Sequence, residues 1–250
     1  MSGDEIIVAG QRVHTGTRVI TWRDSGGYDA YIGLPPLVPR ELPLGETEKQ
    51  RVRPFGWDLP ALQKVVDQFV LHYDACGLSK VCFAALRARR LSVHFLLDVD
   101  GTVYQTLDLQ ERALHATTSN DRSIGIEIAN IGAFPPDAAQ PLEHWYRRET
   151  DGDTTLTIPA GIGNSGIATP HFNGRPARRA PVRGVIQDRM LLQYDFTPEQ
   201  YAALTHKLSD RELAPYRGIL GHYHIQENKV DPGPAFDWER FIRDVRRATK

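Results

Sequence analysis

The fold of this chain is decided around residues 68–73, QFVLHY, a short and nearly continuous apolar run. Such a run is typical of a strand that is buried on both faces of a parallel sheet. A second run of this kind, SIGIEI, follows at residues 123–128, and the pair Asp100-Gly101 predicts a turn between two further strands, 92–98 and 102–107. Helical patterns alternate with these strands, so the sequence predicts a single α/β domain.

The segments on either side of this pattern are less regular. Residues 6–31 contain short β-type runs around a Gly/Thr turn and predict a hairpin or wrapping arm, and residues 34–56 form a proline-rich, charged connector. We therefore divide the chain into an arm and connector over 1–57 and a domain over 58–250. Within the domain, residues 131–190 are rich in Pro, Gly and Arg and predict a long surface insertion with one hairpin.

Two features near the end of the chain predict helices. The stretch Thr197-Pro-Glu-Gln200 has the pattern of a capping box and should open a helix. In the last helix, Trp238, Phe241, Ile242 and Val245 recur at the 3–4 spacing of an amphipathic face.

Composition excludes several classes of protein. Of the 250 residues, 41% are hydrophobic and 24% charged, which excludes wholesale disorder. The net charge of -1 argues against nucleic acid as a partner, because such proteins normally carry a basic excess. No apolar run approaches the roughly 18 residues of a membrane span. The N-terminus also lacks the pattern of a signal peptide, which predicts a cytoplasmic protein unless an export segment lies outside this chain.

Side chains that can bind a metal stand where strands should end. His72 closes the first apolar run, Glu127 interrupts another, and His222 and Asp231 lie near the C-terminus. Two imidazoles and one carboxylate would suit a catalytic zinc ion with one position open for water. Each residue also has an ordinary structural interpretation, as a hydrogen-bonded packing histidine or a salt-bridged carboxylate.

Several motifs together resemble the N-acetylmuramoyl-L-alanine amidase type 2 family, which includes cell-wall-recycling amidases, phage amidase lysozymes and peptidoglycan recognition proteins. The resemblance covers about residues 65–130 and 195–245. The motifs are FVLH at 69–72, SVHFLLDVDGTVYQ at 92–105, LHA at 114–116, NDRSIGIEI at 120–128, and GH at 221–222 through KVDPGPAFDW at 229–238.

The resemblance implies a mixed central β-sheet flanked by helices, and a zinc ion held by His72, His222 and Asp231. It also implies that Glu127 and Lys229 are the catalytic pair, the glutamate as proton carrier and the lysine as a stabiliser of the oxyanion. The expected reaction is hydrolysis of the amide between N-acetylmuramic acid and the L-alanine of a stem peptide. Peptidoglycan or a muropeptide would be the substrate partner.

Two histidines depart from the usual family pattern. Relatives commonly have His-Ala-Gly where this chain has His115-Ala116-Thr117, and we assign His115 to the substrate-binding cleft. On a strand, His222 and His224 would share one face, so His224 is an alternative metal ligand to His222. The register of the family favours His222.

Cys76 and Cys82 enclose five residues directly after the first ligand strand. Peptidoglycan recognition proteins have a disulfide at a similar spacing, and the resemblance thus implies a disulfide and permits a periplasmic or secreted protein. The alternative is two small buried thiols in a cytosolic protein.

Two other functions stay open at this point. The chain could be a non-catalytic peptidoglycan-recognition module, or an interaction protein that has repurposed the amidase fold. Nothing in the charge pattern predicts a coiled-coil oligomer, so we expect a monomer.

Overall fold

A seven-stranded mixed sheet forms the centre of the computed structural model, which describes residues 3–32, 40, 59–162, 166–204 and 218–248. The strands, in chain order, are β1 (Gly3–Val8), β2 (Gln11–Thr21), β3 (Gln68–Tyr73), β4 (Phe95–Leu97), β5 (Val103–Gln105), β6 (Ser123–Ile128), β7 (Tyr146–Arg148), β8 (Thr154–Leu156), β9 (Val182–Ile186), β10 (Arg189–Gln193) and β11 (Ile219–Gly221). The helices are α1 (Leu59–Val65), α2 (Ser79–Ala88), α3 (Gln140–Trp145), α4 (Pro198–Leu204) and α5 (Trp238–Ala248).

The order of strands across the central sheet is β1-β2-β5-β4-β6-β3-β11. β3 lies between β6 and β11, and these three strands run parallel. β4 is parallel to β6 but antiparallel to β5. The sheet is therefore mixed, as the resemblance implied.

Successive side chains of a strand point to opposite faces of the sheet, and both faces are covered. On one face, Leu71 and Ile126 pack in a cluster with Val65 of α1, Tyr201 of α4 and Phe241 of α5. On the opposite face, Leu96 and Tyr104 pack against Cys82 and Leu86 of α2. The predicted α/β domain with a helix-flanked sheet is confirmed.

The N-terminal hairpin is confirmed and forms one side of the sheet. β1 and β2 are antiparallel, and β2 continues into parallel pairing with β5 from Val19↔Val103 to Thr21↔Gln105. The buried Gln105 amide fixes this hairpin, because its Oε1 accepts from the Ile7 amide and its Nε2 donates to the Ile7 carbonyl, both at 2.7 Å.

The connector predicted over 34–56 lies outside the described residues except for Arg40. The guanidinium of Arg40 is completely buried and donates to the carbonyls of Asp121 and Ser123 at 2.9 and 2.8 Å. The connector therefore touches the domain where β6 begins. The boundary between residues 57 and 58 stays a prediction.

The predicted insertion, residues 131–190, contains more regular structure than its composition indicated. It includes α3, the antiparallel hairpin β7–β8, and the first strand of the hairpin β9–β10, which ends at Gln193 beyond the predicted boundary. We expected one hairpin, and the described residues form two.

The capping box of α4 is present as predicted. The Gln200 amide donates to the Thr197 hydroxyl at 3.2 Å, and the Gln200 side chain accepts from the Thr197 amide at 2.9 Å. Among the described residues, no helix is long and apolar enough to cross a membrane.

Candidate metal centre

Three functional side chains form a row across neighbouring parallel strands. His72 of β3 is paired in register with Glu127 of β6. On the other side of β3, Gly221 of β11 pairs with Leu71, so His222 follows at the position beside His72. Residues at equal register point to the same face of the sheet, which brings His72 and Glu127 to one side. His222 follows directly after the strand, and its ring centroid lies 4.5 Å from that of His72.

A carboxylate completes the metal-binding group. The Oδ2 atom of Asp231 lies 2.8 Å from Nδ1 of His72 and 3.1 Å from Nδ1 of His222. One candidate ligand atom from each of these three buried residues lies within 4.8 Å of the other two. The structure therefore brings together the three zinc ligands that the resemblance implied.

The electrostatics of this group suit a bound cation. Burial lowers the pKa of His72, which keeps the imidazole neutral and able to donate a lone pair. Burial alone would raise the pKa of Asp231, but the hydrogen bonds from His222 and His72 outweigh it, and the pKa of this carboxyl is lowered. Neutral imidazoles and an ionised carboxylate are the forms that bind zinc.

The alternative ligand, His224, is directed elsewhere. After Gly221 the chain leaves the strand and forms a 3-10 turn over His222–His224, so the two histidines do not share a face. Nδ1 of His224 accepts a hydrogen bond from the Gly221 amide at 3.0 Å, and its ring packs near Tyr223 and Trp238.

The donor set fits zinc on the evidence of this structure. Two imidazole nitrogens and one carboxylate oxygen are a common set for a catalytic zinc ion, which keeps one position open. In each imidazole, the nitrogen that does not face Asp231 also has a hydrogen-bonding partner, as in most zinc-binding histidines. Nε2 of His72 lies 2.9 Å from Nδ1 of His115, and Nε2 of His222 lies 2.5 Å from Oε1 of Gln226.

The predicted catalytic pair lies at the same place. Glu127 and Lys229 line a cleft of about 270 Å³ together with His72, His222 and Asp231. Burial, followed by the negative charge of Asp231, raises the pKa of Glu127 well above its ordinary value, and Lys229 opposes that shift. A carboxyl with a raised pKa holds a proton more tightly than a surface glutamate, which suits a group that accepts a proton and passes it on.

His115 lines the cleft, and it also has close partners within the protein. Its Nδ1 lies against His72, and its Nε2 is 3.1 Å from the hydroxyl of Ser123. Both ring nitrogens are therefore occupied. The predicted role in substrate binding stays a prediction.

The two cysteines are free in this structure and do not form the disulfide that the resemblance implied. Cys82 is buried on α2 and Cys76 is half-buried, and both line the cleft. A hydrogen bond between the two thiols lowers the pKa of Cys76 and raises that of Cys82. In this structure the two thiols are reduced and in contact.

Several residues of the site were not identified from the sequence. Gln226 contacts Nε2 of His222, Ser123 contacts His115, and Arg89 lines the cleft. Asp74 also lines it, with one carboxylate oxygen that has no hydrogen-bond partner and a pKa that burial raises to about 6. Ser123 could have been found, because it precedes Glu127 by four residues and lies on the same face of the strand.

Fold and site together define a protein with a mixed sheet and a buried group of two histidines and one carboxylate that could hold a metal ion. Residues 62–148 match the family model described as N-acetylmuramoyl-L-alanine amidase. The chain is 27% identical over 168 residues to the 1,6-anhydro-N-acetylmuramyl-L-alanine amidase AmpD of Citrobacter freundii, over 64% of this chain and 59% of that protein. The AmpD of Escherichia coli (strain K12) is also 27% identical over 168 residues, 64% of this chain and 61% of the relative.

Over residues 62–148 this chain is similar to the N-acetylmuramoyl-L-alanine amidase family. It spans 59–61% of the length of these two curated relatives. A solved structure of the E. coli amidase AmiD, in complex with anhydro-N-acetylmuramic acid-L-Ala-D-gamma-Glu-L-Lys, is 21% identical with a TM-score of 0.44, and the match covers 80% of this chain and 64% of that one.

Proposed function

We propose that this protein is a zinc-dependent N-acetylmuramoyl-L-alanine amidase. Its reaction is hydrolysis of the amide between the lactyl group of N-acetylmuramic acid and the L-alanine of a stem peptide, in peptidoglycan or in soluble muropeptides. One observation carries this proposal: the three metal-binding residues open onto the same cleft as Glu127 and Lys229.

His72, His222 and Asp231 hold the zinc ion. When bound, zinc supplies Lewis acidity, which polarises a carbonyl group and makes water more acidic. The two neutral imidazoles and the single carboxylate leave the ion with a net positive charge, which preserves that acidity.

Glu127 moves the proton. Its carboxylate accepts a proton from the attacking water and then passes it to the amide nitrogen, which leaves as the free amine of L-alanine. The pairing of Glu127 with His72 on adjacent strands supports this role, because it keeps the carboxylate beside the metal-binding group while leaving it uninvolved in the ligand set.

Lys229 carries the positive charge that faces the developing oxyanion. It precedes the ligand Asp231 by two residues and lines the cleft. An ammonium group fixed at this place stabilises the negative charge that forms on the carbonyl oxygen of the substrate.

The substrate class is proposed from the family and from the charge of the cleft. Arg89 and Arg189 line the cleft with Lys229, and these cations complement the carboxylates of a stem peptide. The relatives are named for 1,6-anhydro-N-acetylmuramyl-L-alanine, so the 1,6-anhydro muropeptide is the first soluble substrate to test.

The test is mass spectrometry of the products after incubation of the zinc-loaded protein with peptidoglycan and, separately, with soluble muropeptides. We expect intact peptides that begin with L-alanine, and we expect a chelator to abolish their release. E127Q should bind zinc but release no peptide, whereas E143Q, which changes an exposed glutamate of α3, should behave as wild type. Zinc-loaded protein that binds muropeptides but cleaves neither substrate would favour a non-catalytic recognition module.

A further inference from the structure

His115 lies behind the metal-binding group. Its Nδ1 is 2.9 Å from Nε2 of His72, and its Nε2 is 3.1 Å from the Ser123 hydroxyl. His72, His115 and Ser123 therefore form a series of hydrogen-bonding contacts, and Asp231 lies at the other nitrogen of His72.

The backbone of β6 keeps the ring of His115 in this place. A Cβ atom on Gly125 would lie 2.5 Å from both Nδ1 and Cε1 of His115, so the ring occupies space that only glycine leaves free. Ser123 and Gly125 alternate with Ile124 and Ile126, whose side chains are buried in the core on the opposite face. β6 thus supplies both the space for the His115 ring, at Gly125, and the hydroxyl that contacts its Nε2, at Ser123.

The direction of these hydrogen bonds follows from the chemistry of a metal ligand. His72 can bind a cation only through a nitrogen without a proton, and its Nδ1 is the nitrogen that faces Asp231 and His222. The proton of a neutral ring must then be on Nε2, where the available acceptor is Nδ1 of His115. His115 in turn carries its proton on Nε2 and donates it to Ser123, whose hydroxyl can accept.

We propose that His115, held by Ser123, is a positioning residue that keeps the His72 imidazole oriented with Nδ1 toward the cation. This inference rests on the proposed function, since it assumes that the cluster binds zinc. It assigns His115 a role different from substrate contact, because neither ring nitrogen is left for a ligand. Gln226 holds the outer nitrogen of His222 in a comparable way.

The first experiment measures the zinc dissociation constant by chelator competition, without substrate. H115A should bind zinc about 10- to 100-fold more weakly, the usual effect of losing such an outer partner. H115N should restore most of the affinity, because Oδ1 of asparagine and Nδ1 of histidine are both bonded to Cγ. H115Q should not restore the zinc affinity, since the glutamine oxygen is bonded one carbon further from the backbone. S123A should weaken zinc binding, because His115 loses its hydrogen-bond acceptor.

Two controls separate positioning from a fold defect. H144N changes an exposed histidine of α3 and should leave zinc affinity unchanged. The unfolding midpoint of each zinc-free variant reports any general destabilisation. In ¹⁵N-labelled, zinc-loaded protein, the Nε2 proton of His72 should exchange slowly with water in wild type and H115N, and rapidly in H115A.

The result expected is a loss of zinc affinity in H115A that H115N restores. Wild-type zinc affinity in H115A would overturn the proposal, and a rise in KM without a change in zinc binding would assign His115 to the substrate cleft instead. Equal losses in H115A and H115N would also overturn it. Because zinc binding is measured without substrate, a wild-type protein that binds zinc but cleaves nothing would refute the proposed function and leave this inference standing.

Discussion

His72 and Glu127 occupy directly paired positions on two neighbouring parallel strands, β3 and β6. The proposed metal ligand and the proposed proton carrier are therefore both positioned by backbone hydrogen bonds of the sheet. A slip of one residue in this register would turn Glu127 to the opposite face. The geometry of the site thus depends on the same contacts that stabilise the fold.

Replacing Glu127 by glutamine should separate catalysis from metal binding. E127Q retains the shape of the side chain but cannot accept a proton, so we expect kcat/KM to fall by about 10²- to 10⁴-fold. Zinc affinity should be nearly unchanged, because Glu127 is not in the ligand set. Steady-state kinetics together with chelator competition checks both parts, and a wild-type rate in E127Q would contradict the assignment.

The two neighbouring histidines His222 and His224 form a matched pair for mutation. H222A should lose zinc, because it removes one of three ligands and leaves Asp231 with one imidazole partner. H224A should retain zinc, since His224 contacts only the Gly221 amide, Tyr223 and Trp238 among the interactions given above. Metal content after dialysis, measured by atomic emission, distinguishes the two. Loss of zinc in H224A alone would reverse the assignment.

Gly125 should be intolerant of even the smallest side chain. In G125A the new methyl group would overlap the His115 ring, and the ring would have to move away from His72 and Ser123. We therefore expect weaker zinc binding together with a lower unfolding midpoint. G161A is a suitable control, because a Cβ there meets no other atom within 4 Å. Unchanged zinc affinity in G125A would show that the space between residue 125 and the His115 ring is larger than in this structure.

Stability should depend on pH through Asp98. Burial raises the pKa of this carboxyl from 3.8 to about 7, with Asp100 adding to the shift, and one of its oxygens has no hydrogen-bond partner. Between these two values the folded protein keeps the proton while the unfolded chain releases it. This contribution to the free energy of unfolding is therefore present at low pH and is lost as the pH rises through that window, by up to about 1.4 kcal/mol per pH unit.

D98N should remove this dependence while keeping an oxygen to accept from the Val99 amide. Relative to wild type, the variant should gain stability steadily from about pH 4 to pH 7, which denaturant titrations at several pH values would measure. A constant difference between the two proteins across that range would show that Asp98 does not titrate there.

The thiols of Cys76 and Cys82 are close enough to share a hydrogen bond, so a mild oxidant should join them. With diamide, the two thiols lose two hydrogen atoms to the reagent and form one intramolecular disulfide, which peptide mass mapping would detect. Without oxidant, iodoacetamide should modify Cys76 before Cys82, because Cys76 is less buried and its pKa is lowered. Dimers linked through Cys76, without any intramolecular bond, would contradict the proximity of the pair.

The sequence predicted the parts of the fold that depend on neighbouring residues. The apolar runs at 68–73 and 123–128 match the bounds of β3 and β6, and the capping box places the start of α4 correctly. These signals are local, because burial on both faces and a terminal cap each leave a pattern within a few residues. The insertion was described less well, since its short hairpins are stabilised by packing and not by a strong periodicity.

For the site, the motifs in the sequence identified the ligand candidates and the acid, but two points depended on the tertiary structure. His222 and His224 appeared equivalent only on the assumption of a continuing strand, whereas the chain turns after Gly221. The partners Ser123 and Gln226 were missed because their importance comes from atoms they meet in space. His72 and Asp231 are 159 residues apart in the chain, and their side chains meet because β11 pairs with β3 and the Tyr223 amide, just after β11, donates to the Asp231 carbonyl.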